Sequence, residues 1–130
     1  MGAIATARAY MHTVLDGNVT LDGYAVAVRD KLEAWQPPCL VVSPAEPFIR
    51  PQGPNGRGEF RFDVTILADP SKPDKAVTTV DALLEDLLGV LDGSDYTLLD
   101  QVSYPDAIEI NGQQYPAAVV TVTLPVTLYT

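Results

Sequence analysis

The segment Gly58–Leu67 constrains the fold more than any other: Phe60, Phe62, Val64 and Ile66 alternate with Glu59, Arg61, Asp63 and Thr65. A period of two places successive side chains on opposite sides of an extended chain, so this segment reads as a strand with one buried and one wetted face. The same alternation returns near the C-terminus, where Val120, Val122, Leu124, Val126 and Leu128 share one face and Val119, Thr121, Thr123 and Thr127 the other.

Between these segments the period changes. Val77, Val80, Leu84, Leu87 and Leu91 recur at helical spacing opposite Thr79, Asp81, Glu85 and Asp86, which predicts a helix over Asp74–Leu91 ended by Asp92-Gly93. Ile4, Ala7, Met11 and Val14 form a shorter stripe, which predicts a first helix over Ala3–Leu15 stopped by Asp16-Gly17. Cys39–Ser43 follows Pro37-Pro38 as a strand, and Thr97–Tyr104, Ala107–Ile110 and Gln114–Leu128 read as further β structure. Asn111-Gly112 marks a tight hairpin turn. Pro125 suits an edge or a bulge, and Tyr24–Trp35 is compatible with either strand or helix. Pro44–Gly58, with four prolines and three glycines, reads as a long exposed loop.

These elements predict an α+β fold: one antiparallel sheet of about four or five strands with two helices packed on one face, in a single domain spanning residues 1–130. A chain of 130 residues has room for one continuous core.

Charge narrows the function. With 8 Lys and Arg against 17 Asp and Glu the net charge is −9, which disfavours phosphate neutralisation over a broad surface. Lys75 is the last basic residue, so the remainder is purely acidic. No apolar stretch approaches a membrane span and no basic region precedes an apolar one at the N-terminus, so a soluble protein without a signal peptide is expected. Gly2 and Thr6 match a myristoylation pattern by chance, since helix follows and no polybasic anchor does. Cys39, the single cysteine, lies in an apolar run and reads as a buried thiol.

Catalytic patterns are weak. His12 is the lone histidine, and its bland reading is a half-exposed helix residue. Asp81, Glu85, Asp86, Asp92 and Asp95 lack the spacing of a calcium loop and read as a solvated acidic face. Gly53–Gly58 lacks the Lys-Ser/Thr and the following helix of a phosphate-binding loop, and no nucleophile elbow occurs. The expectation is a non-enzymatic protein without cofactor or metal. Phe48, Ile49, Arg50, Arg57 and Arg61 are candidate subunit-interface residues: a basic arm suited to head-to-tail contact with the acidic half of another copy.

The run Gln36-Pro37-Pro38-Cys39-Leu40-Val41-Val42-Ser43-Pro44, the alternating Phe60–Leu67 strand, the helix after it, and Ile110–Tyr115 leading into a final alternating strand resemble the tail-terminator proteins of long-tailed bacteriophages. The resemblance covers most of the chain through short motifs. Asn18–Trp35 departs from it, and Pro116 and Pro125 interrupt its last strand. It implies a ring, a hexamer in that family, that caps the finished tail tube, meets the head-side connector protein and lets DNA pass without specific binding. It implies no catalysis, no cofactor and no membrane, with assembly in the host cytoplasm and a place at the head-proximal end of the virion tail. Asp92, Asp95, Asp100, Asp106 and Glu109 are then candidates for an acidic inner wall that repels DNA phosphates. Competing expectations are a neck, head-completion or other minor tail protein, and a small-ligand or peptide-binding module with Pro44–Gly58 as a lid. An enzyme would need His12 or the helix carboxylates to converge on one pocket.

Overall fold

A computed structural model of the chain describes residues 2–21, 23–29, 38–51, 57–69, 71, 73–94, 97–110 and 112–127. The elements in order are α1 (Ala3–Leu15), β1 (Thr20–Leu21), β2 (Tyr24–Ala25), β3 (Ala27–Arg29), β4 (Cys39–Pro51), β5 (Arg57–Leu67), α2 (Pro73–Asp92), β6 (Leu98–Ile110) and β7 (Gln113–Thr127). β1 and β2 form a small antiparallel pair, and the remaining strands form one five-stranded sheet in the order β3-β4-β5-β7-β6. All its pairings are antiparallel except β3 with β4. The α+β architecture expected from the pattern is present, with a parallel edge strand that periodicity did not reveal.

Both helices lie on the same face. Ala7, Met11 and Leu15 of α1 and Ala76, Val80, Leu83, Leu87 and Leu91 of α2 form one core with Leu40, Val42, Phe60, Phe62, Val64, Ile66, Ala118, Val120, Val122 and Leu124. Each fully buried large aliphatic or aromatic side chain contributes about 1.5–3 kcal/mol, so this shared face is the main source of stability. The buried stripe of α2 is rotated from the expected one. Ala76 and Leu83 point inward while Val77 is exposed. α1 ends where Gly17 takes φ +76°, and the Asn18 side-chain amide donates to the Val14 carbonyl at 2.9 Å.

Two long strands differ from their expected form. Pro44–Gly58 is largely strand: β4 continues to Pro51, β5 starts at Arg57, and residues 52–56 lie outside the described set. The prolines are accommodated because Pro44 pairs with Phe62 and Ile49 with Phe60, so residues 45–48 bulge opposite Arg61 alone. Thr97–Tyr104 and Ala107–Ile110 merge into one strand, β6, whose register slips between Leu99 and Gln101 and again between Ser103 and Asp106.

The prolines of β7 obey a local rule. Although β7 lies between β5 and β6, Pro125 pairs with Glu59 beyond the start of β6, and Pro116 pairs with Ala107 beyond the end of β5. Each sits where one neighbour has run out, so no ladder on that side loses a donor. Tyr24–Arg29 is extended, and residues 30–37 lie outside the described set.

Candidate assembly surface

The face of the sheet away from the helices is not simply wetted. Glu59, Arg61, Thr121 and Thr123 are buried there, Arg61 to 5% exposure. Arg61 is held on every side: Nε and Nη2 donate to Asp100 Oδ2 at 3.2 and 2.9 Å, and Nη1 donates to the carbonyls of Glu46 and Pro47 at 2.8 and 3.0 Å. The bulge in β4 and the slip in β6 make this possible. The first turns two carbonyls toward Arg61, and the second inserts Asp100 as the extra residue of β6, from which its carboxylate reaches Arg61 on β5. Arg50 completes the cluster, with Nη1 3.4 Å from Glu59 Oε1 and Nη2 3.7 Å from Asp100 Oδ2. Two cations and two anions balance, and among the described residues no buried side-chain nitrogen or oxygen lacks a partner.

This arrangement corrects the expected basic arm. Arg61 is an interior residue, Arg50 is ion-paired within its own subunit, and Phe48 stacks on Phe60 at 5.3 Å with an edge-on contact to Phe62 at 5.3 Å. Ile49 and Arg57 remain at the surface. The acidic wall candidates are dispersed as well. Asp100 faces Arg61, Asp92 is exposed at the end of α2, and Glu109 is exposed near the far end of β6. Asp106 pairs with Ala117 in the ladder, its side chain lying outside the described set together with the whole of Asp95.

The acids of α2 are not all a solvated face. Asp86 Oδ2 accepts from the Thr20 backbone N–H at 2.7 Å, tying β1 to the helix, and Asp81 Oδ1 accepts from the Tyr104 hydroxyl at 2.9 Å. His12 Nδ1 lies 3.5 Å from Asp16 Oδ2 within α1. Among the described residues no group of three or more His, Cys, Asp and Glu is placed to hold a metal ion, and no helix is long and apolar enough to cross a membrane. Cys39 is fully buried, and burial pushes its thiol from 9.0 up to about 11, with the Arg29 charge opposing the rise.

The surface feature that stands out is β6. It is an edge strand of 13 residues, and its apolar side chains Leu98, Leu99, Val102 and Tyr104 are exposed, the first two to 56% and 54%. Leu98 and Leu99 also border a groove of about 550 Å³ running to Leu88 and Leu91 at the end of α2 and to Thr97 just before β6. A second groove, of about 490 Å³, lies between the helices, where the Tyr10 hydroxyl and Ser94 Oγ are 2.8 Å apart. None of these β6 residues was singled out from the sequence as surface. The signal was present, because adjacent Leu98 and Leu99 in a strand must point to opposite faces, and the helices cover one face only.

No family model, curated protein or solved structure matches the chain.

Proposed function

We propose that this protein is a non-catalytic structural subunit that joins copies of itself into a ring closing the end of a phage tail tube, where it meets the head-side connector. The observation that carries the reading is the β6 edge, since a long edge strand, paired with β7 on one side only among the described residues and with apolar side chains exposed on both faces, is a joint for another chain. The short motifs shared with tail terminators supply the choice of assembly, and the net charge of −9 suits a ring through which DNA passes without adhering. Its place is the head-proximal end of the tail, reached after assembly in the host cytoplasm, and its chemistry requires no cofactor.

Incubation of the purified protein with tail tubes and, separately, with portal-bearing heads tests this directly by electron microscopy. Density capping one end of each tube supports a terminator. Binding to heads alone supports the neck or head-completion alternative.

A second reading is favoured by the 550 Å³ groove beside Leu98 and Leu99, whose size fits a small apolar ligand. It predicts a monomer that is stabilised by such a ligand.

A further inference from the structure

The two edges of the five-stranded sheet differ in kind. Besides Asp100, which is ion-paired to Arg61 and Arg50 of its own subunit, β6 carries Asp106 and Glu109 and no basic residue, whereas β3 carries Arg29, exposed at the opposite edge. We infer that the β6 edge of one subunit pairs with the β3 edge of the next copy, so that the sheet continues head to tail through the assembly. This rests on the ring reading and names the joint that the ring uses.

Three observations carry the assignment. Charge comes first: two β6 edges brought together would oppose acid to acid, while β6 against β3 opposes acid to Arg29. Strand direction agrees. β3 runs parallel to β4, and the three antiparallel pairings from β4 through β5 and β7 leave β6 opposed to both. Copies set side by side in one orientation therefore meet with antiparallel edges, and the contact is heterologous, as closure of a ring demands. Level agrees too. Arg29 lies in the same row of the sheet as Val41, Thr65, Val119 and Ser103, and Ala27 in the row of Cys39, Leu67, Ala117 and Asp106. Without any shift along the strands, Arg29 of one copy arrives beside Ser103 of its neighbour and close to Asp106.

β3 has three residues, so backbone pairing at the joint is short and side chains supply much of the contact. Val102 on β6, one position from Ser103, is the exposed apolar residue nearest the Arg29 row.

The test is a charge swap at two exposed positions in one row, Arg29→Glu and Ser103→Lys, followed by native mass spectrometry and sedimentation. Each variant alone places like charges at every joint and is expected to raise the concentration for half-assembly at least about tenfold per joint. An equimolar mixture restores rings, because the altered edges attract each other and the unaltered edges still pair. Recovery in the mixture also shows that both variants are folded. Rings that persist in either variant overturn the joint while leaving the ring reading intact, and so does a mixture that fails to recover them. A wild-type protein that stays monomeric at all concentrations, with and without tail tubes, overturns the ring reading itself.

Discussion

Arg61 and Asp100 meet across β7 through two hydrogen bonds to one carboxylate oxygen, at 3.2 and 2.9 Å, although they lie 39 residues apart in the chain. This fork joins the centre of the sheet to its β6 edge, and the remaining guanidinium nitrogen holds the β4 bulge.

Removing one partner is costly and removing both is not. Asp100→Ala should lower unfolding free energy by roughly 3–5 kcal/mol in denaturant titrations, because it leaves the buried Arg61 charge without its carboxylate, whereas Arg61→Ala should cost less, because Asp100 is partly open to water and keeps Arg50 beside it. Arg61→Met combined with Asp100→Leu should recover most of that loss. A double variant as unstable as the sum of the single ones would show that the pair is not coupled.

The thiol of Cys39 gives stability a defined alkaline dependence. Below pH 9 both folded and unfolded chains keep the proton, whereas between about 9 and 11 the unfolded chain loses it first, so stability falls across that window. Cys39→Ala should flatten this part of the curve. The native thiol should also react slowly with alkylating reagents at pH 8, and rapidly only after denaturation.

Core aromatics should rank by burial. Phe62, 1% exposed between the sheet and the helices, should cost about 4 kcal/mol when changed to Ala. Phe48, half-buried and stacked on Phe60, should cost about 2 kcal/mol by the same change, since part of its cavity is open to solvent. Equal losses would contradict the peripheral placement of Phe48.

Asp86 distinguishes a structural acid from a solvated one. Asp86→Ala removes the acceptor of the Thr20 N–H and should cost about 2 kcal/mol, with faster amide exchange at Thr20. Glu85→Ala, at an exposed position, should leave both unchanged.

The elements with a clean period were legible in advance. α1 coincides with its expected span, α2 extends one residue beyond its own at each end, and β5 begins one residue early. Proline density concealed the second half of β4, because residues that break an ordinary ladder are tolerated where four residues bulge opposite one. Arg61 misled for a related reason: alternation tells which face a side chain takes, and whether a charge on that face is wet depends on partners in β4 and β6 far along the chain. The exposed edge of β6 was hidden because strand order is a tertiary property. Only once β6 is placed outside β7 do Leu98 and Val102 become surface.

The mass of the wild-type protein alone, followed by native mass spectrometry as concentration rises, bears most directly on self-assembly. A single closed species, a hexamer in the tail-terminator reading, is the predicted result. A monomer at every concentration, with the β6 edge still open to rapid amide exchange, would contradict it.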